Sequence, residues 1–159
     1  MRVYCDLTQE TRCIGILPDP GTELILTGTE VHTEPEQYRE LPLAKALAER
    51  CDVHFFFGTD CTRPPFYTVP RSTVFARDSR GGYFLAPEEA ALDWSEPIFY
   101  IEGGRVFRLI PAGATLADMG RAWRETMRPC TDFEVFPDRA AALRVYDIRT
   151  FQQLMEEKP

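Results

Sequence analysis

Residues 74 to 109 carry two hairpin signals in succession, and they constrain the fold more than any other part of the chain. Val74-Phe75-Ala76-Arg77 leads through Asp78-Ser79-Arg80-Gly81-Gly82 into Tyr83-Phe84-Leu85. Asp and paired glycines are turn formers, and the flanks are aromatic or branched. Pro97 to Ile101 and Arg105 to Leu109 are then joined through Glu102-Gly103-Gly104. Consecutive hairpins predict an antiparallel meander, because parallel strands need long crossovers.

Strands are expected near 53–57, 66–76, 83–86, 97–101 and 105–109. Val53 to Phe57 alternates so that Val53, Phe55 and Phe57 share one face while His54 and Phe56 share the other. Both faces are largely apolar, which suits a sheet covered on both sides. Pro70 interrupts the 66–76 stretch and belongs at a strand end or bulge. Phe75, Phe84, Tyr100 and Phe107 are expected to meet across the two hairpins.

Residues 1–31 read as short strands separated by turns, with Arg12–Leu17 and Thr22–Thr27 flanking Pro18-Asp19-Pro20-Gly21. Residues 32–40 read as polar loop. Pro42 suits the first turn of a helix over 42–50, with Leu43, Ala46, Leu47 and Arg50 at helical spacing. Thr115 and Asp118 mark the start of a helix over 116–127 whose apolar stripe is Leu116, Met119, Trp123 and Met127. Phe133 to Phe136 reads as a short strand, and Asp138 as the cap of a helix over 139–146. Thr150 and Gln153 form a capping box opening a terminal helix that buries Phe151, Leu154 and Met155.

The chain has 159 residues, which suits one domain. Its 44% hydrophobic content and 12% aromatics exclude disorder as the main state. No apolar run approaches the roughly 20 residues a membrane helix needs. The start reaches Asp6 before any apolar run, so a cytoplasmic protein with reduced cysteines is expected.

The formal charge is −7, and it is uneven. Residues 1–60 hold eleven acids and five bases, whereas the rest is nearly balanced. Within the acidic third, Asp19, Glu23, Glu30, Glu34, Glu36 and Glu40 have only Arg39 as a local base. Such a surface disfavours nucleic acid and membranes and attracts basic partners.

Catalytic and metal patterns are sparse. Cys51, His54 and Cys61 supply three soft ligands, but a structural zinc site takes four in paired short spacings. Cys51, Asp52 and His54 are close in sequence, but strand alternation would not make them converge as a triad. Gly81-Gly82 and Gly103-Gly104 lack the lysine and following helix of a phosphate loop. Arg63, Arg71, Arg77 and Arg80 cluster among aromatics, but in a charge-balanced region of an acidic protein. No catalytic, cofactor-binding or metal residue is assigned.

Val69-Pro70 and Val74-Phe75-Ala76-Arg77-Asp78-Ser79-Arg80-Gly81-Gly82-Tyr83-Phe84, followed by Glu96-Pro97-Ile98-Phe99-Tyr100-Ile101, resemble the central signature of the SUKH superfamily. That group holds bacterial immunity proteins and a fungal regulator of cell-wall synthesis. The resemblance covers about residues 53–127, and Leu41-Pro42 resembles a reduced form of its "leu-pro" motif. Residues 1–40 and 130–159 diverge from it. The resemblance implies a single α+β domain, a twisted antiparallel sheet with helices packed on it. It also implies a non-enzymatic binding role: an immunity-type protein that neutralises a toxin, with no cofactor. The expected partner is a protein, in particular a basic toxin domain, met through Glu30, Glu34, Glu36 and Glu40. A regulatory or scaffolding module is the alternative, and a small hydrolase or metal-binding protein the second.

Overall fold

Turn chemistry decides the centre of the molecule. The computed structural model describes residues 2–8, 20–87, 98–109 and 122–156. Strand β6 (Ser72–Arg77) returns as β7 (Tyr83–Ala86), and β8 (Phe99–Glu102) returns as β9 (Arg105–Arg108), each pair antiparallel. β7 also pairs antiparallel with β8, which gives the expected meander. The first hairpin is held by Asp78, whose carboxylate accepts from the backbone N–H groups of Arg80 and Gly82. A register shift between Val74 and Ala76 bulges β6.

The meander is widened at both edges. β10 (Arg128–Pro129) joins β9, while β3 (Thr29–Val31) and β4 (His54–Phe55) share the free side of β6. β3 runs parallel to β6, a departure from the antiparallel expectation. Pro70 splits the expected 66–76 strand. β5 (Tyr67–Val69) leaves the main sheet and pairs with β11 (Glu134–Phe136) instead. A third sheet, parallel throughout, places β1 (Arg2–Asp6) between β2 (Glu23–Thr27) and β12 (Ile148–Thr150). The fold is α+β, with mixed rather than purely antiparallel sheets.

Side-chain alternation along the meander loads both faces. Phe75, Phe84 and Tyr100 face Leu47, Val53 and Trp123. Val74, Leu85, Phe99 and Ile101 face Phe56, Phe66 and Phe133. The predicted aromatic ladder forms, with centroids 6.5 Å apart for Phe75–Phe84, 5.2 Å for Phe84–Tyr100 and 6.4 Å for Tyr100–Phe107. A third core holds Tyr67, Val69, Phe136 and Ile148.

The helices are short. α1 (Pro42–Cys51) starts with Pro42, but its buried residues are Leu47 and Cys51, and Leu43 faces solvent against the periodicity reading. A 3-10 turn over Glu36–Glu40 lies within the expected loop. α2 (Trp123–Thr126) is the described end of the expected 116–127 helix; Leu116 and Met119 fall outside the described residues, as does the Arg12–Leu17 strand. Asp138 caps α3 (Arg139–Leu143) by accepting from the Ala141 N–H. Thr150 and Gln153 bond reciprocally at the start of α4 (Phe151–Glu156), a complete capping box, although Met155 is exposed rather than buried.

Between the parallel sheet and β5 lies a buried polar seam. Asp6, Thr27, Thr29, Thr68 and Ser72 are all inaccessible or nearly so. Thr68 Oγ1 donates to the Gly28 carbonyl and lies 2.6 Å from Ser72 Oγ. Asp6 accepts from the Tyr67 hydroxyl and from Arg139 Nε at 2.7 and 3.0 Å. Burial of such groups is tolerable because each finds a partner.

Candidate functional site

The four acidic residues singled out by charge lie along one run at the β3 edge of the main sheet. Each has a partner. Glu30, in the middle of β3, receives Arg71 Nη2 at 2.5 Å. Glu34 lies 3.0 Å from His32 Nε2, and its backbone is fixed by bonds with Phe56 and Gly58. Glu36 takes a two-pronged contact from Arg39 at 2.7 and 3.1 Å. Glu40 receives Lys45 at 2.6 Å, and that hydrogen bond holds its carboxyl below the usual carboxylate range.

Local sequence had shown these acids facing only Arg39. The structure corrects that: Arg71 comes from 41 residues away, and Lys45 from the first turns of α1. Glu23 is likewise paired, with Arg2 across the parallel β1–β2 ladder. Arg39 is the most engaged cation of the run. It contacts both Asp60 carboxylate oxygens at 3.1 Å and stands 5.0 Å from the centroid of Phe57. Burial would raise the Asp60 carboxyl, but Arg39 and the Phe57 N–H together hold it below its ordinary value.

The second cluster joins the first hairpin to α1 and α2. Asp78 Oδ2 accepts from Tyr100 Oη and from Arg124 Nη2, at 2.5 and 2.8 Å. Arg124 Nη2 also reaches Asp52 Oδ2 at 2.9 Å, and its guanidinium stacks 4.3 Å from the Trp123 ring. Trp123 donates its indole N–H to the Cys51 carbonyl. Burial pushes both carboxyls upward. Hydrogen bonds from Tyr100 and Arg124 at Asp78, and from Ser79, His54 and Arg124 at Asp52, outweigh it and leave both below normal.

Asp52 and His54 do meet, with Oδ1 and Nε2 2.7 Å apart. Alternation bears on the three-way convergence with Cys51 that a triad would need; the Asp52–His54 pair forms because Asp52 is not on a strand. It ends α1 in the left-handed region at φ 58°, so the chain turns between it and His54. Ser79 Oγ donates to Asp52 Oδ2 at 2.7 Å. A serine whose proton is given to a carboxylate is not paired with a basic histidine, so the cluster is a clasp rather than a nucleophile with its base. No signal short of the contacts themselves marked Arg124 as its centre.

Among the described residues no three His, Cys, Asp or Glu side chains gather as metal ligands. Burial pushes the Cys61 thiol upward, and it donates to the Arg63 carbonyl. Of the four arginines in the basic-aromatic stretch, Arg71 is spent on Glu30. An open groove of about 630 Å³ lies at the other edge of the main sheet, lined by Arg105, Phe107, Cys130, Thr131 and Phe133. No helix among the described residues is long and apolar enough to cross a membrane.

No family model matches the chain, and no solved structure matches it. A NAD-dependent protein deacetylase of Thermodesulfovibrio yellowstonii is 30% identical to it over 76 residues, which make up 47% of this chain. That stretch covers 29% of the deacetylase, so the chain spans less than a third of the length of that curated relative.

Proposed function

We propose that this chain is a cytosolic, non-enzymatic protein-binding module of the immunity type, which neutralises a basic toxin domain by occupying it. The observation that carries the reading is how the polar groups of the hairpin region are used. Asp78, Asp52, Ser79 and Arg124 close on one another and on the backbone, so they hold a scaffold and leave recognition to its edges. The acidic run Glu30, Glu34, Glu36 and Glu40 lies along one such edge, and opposite potentials speed encounter with a basic partner.

The test is co-expression with the product of the adjacent gene. Recovery of a complex with a large secreted protein's C-terminal domain supports immunity, and a host regulator as partner supports the scaffolding alternative. Reversing the four acids should slow association and flatten its salt dependence; because each acid is paired, circular dichroism is read alongside to separate lost charge from lost fold. A partner whose association rate ignores both the reversals and added salt removes the case for this edge.

A further inference from the structure

We infer that Tyr38, Leu41 and Leu43 form the apolar centre of the partner contact, and that the neighbouring acids form its rim. This rests on the protein-binding reading and names the part of the surface that supplies the affinity.

Three observations converge. The 3-10 turn Glu36–Glu40 buries none of its residues. Tyr38, Leu41 and Leu43 are 43%, 48% and 52% exposed, three large apolar side chains within six positions. A segment that contributes nothing to the core would ordinarily be mobile and polar. This one is instead held by backbone bonds from Tyr38 to Pro35, Leu41 to Tyr38 and Lys45 to Leu41, and is flanked by surface contacts of Arg39 with Glu36, Asp60 and the face of Phe57 and of Lys45 with Glu40. The backbone bonds thus order the turn while its large apolar groups stay exposed. A surface ordered before binding saves the entropy of ordering it later.

Charge selects the occupant. Arg39 is shared between Glu36 and Asp60, Arg77 also acts on Asp60, and the rim still holds Glu34, Glu36, Glu40 and Asp60 against Arg39, Lys45 and Arg77, with only His32 beside Glu34. The rim therefore keeps an acidic excess after its internal pairs are counted. The complementary surface is a protein with an apolar depression ringed by lysine and arginine. An apolar centre inside a polar rim is the usual anatomy of such a contact, with tyrosine favoured at its hot spots.

The experiment places p-benzoylphenylalanine at Tyr38 and, in a separate protein, at the exposed Val145 beyond α3, and irradiates cells of the native organism. The expected result is one protein cross-linked from position 38 and identified by mass spectrometry as basic. Its purified form should bind about tenfold more weakly, or worse, to the Leu41→Ser/Leu43→Ser variant. Both leucines are half exposed, and an unchanged melting temperature shows that the variant folds. A partner captured only from position 145, or one indifferent to the leucine changes, overturns this inference and leaves the binding reading standing. A partner with an acidic contact surface overturns it too. Capture from neither position overturns both.

Discussion

The ring of Tyr100 lies against Gly82, so closely that a Cβ on Gly82 would stand 2.1 Å from the tyrosine hydroxyl oxygen. Gly82 is therefore required for space. Its neighbour Gly81 has open space around it but a φ of +89°, so it is required for backbone conformation. Gly82→Ala should cost about 1–3 kcal/mol by overpacking, and Gly81→Ala about 1–2 kcal/mol by left-handed strain. The two causes separate in a Tyr100→Ala background under urea unfolding. There the Gly82→Ala penalty should shrink, and the Gly81→Ala penalty should persist.

Acid should loosen the hairpin clasp. Asp78 and Asp52 have folded-state pKa values below their ordinary ones, so the unfolded chain binds protons first as pH falls. Their contribution is complete above about pH 4, the ordinary carboxylate range. It is lost progressively as pH drops from there toward the folded-state values. Urea midpoints from pH 7 to pH 2 should fall in that window, and Asp52→Asn should flatten the fall. A midpoint independent of pH below 4 would contradict the clasp.

Phe84 is completely buried, 5.2 Å from Tyr100 and 5.1 Å from Trp123 by ring centroid. Phe84→Ala should cost about 3–5 kcal/mol in urea unfolding. Tyr38→Ala, on the exposed turn, should stay within about 0.5 kcal/mol of the parent. Similar losses at the two positions would remove the distinction drawn between core and contact surface.

Arg139 ties α3 to the buried Asp6 of β1. Asp6 also accepts from the Thr8 N–H and hydroxyl, so Arg139→Ala leaves that carboxylate with Thr8 and Tyr67 and should cost about 1.5–3 kcal/mol, the range for a hydrogen bond to a charged group. Hydrogen exchange should show the loss first in β1 and β12. Protection loss confined to the hairpins would argue against the seam.

The parts legible in sequence were those whose cause is local. Asp78 with its glycines, Gly103-Gly104, Asp138 and the Thr150–Gln153 box each act within a few residues, and each forms as read, although the helix that Asp138 caps ends at Leu143 rather than at 146. The aromatic ladder was legible because alternation fixes faces once the turns are fixed. What escaped depends on distant chain. Nothing near Arg2–Asp6 announces that Glu23–Thr27 and Ile148–Thr150 will flank it in parallel. Leu43 fits a helical stripe, but α1 buries only Leu47 and Cys51. The acidic run looked bare because Arg71 reaches Glu30 from another strand connection.

The placement of β1 has a temporal consequence. Its two neighbours are drawn from opposite ends of the described chain, and Tyr4 pairs with both Ile25 and Ile148. On a ribosome, β1 emerges before the meander, β2 soon after β1, and β12 only after the whole meander has been made. At ordinary elongation rates that interval is roughly 7–30 s. For that time β1 offers one open edge, with its N–H and C=O groups unclaimed by β12. The meander needs no such wait, since each of its strands pairs with the next one made. Synthesis therefore completes the meander before it closes the parallel sheet, around a strand made ahead of both.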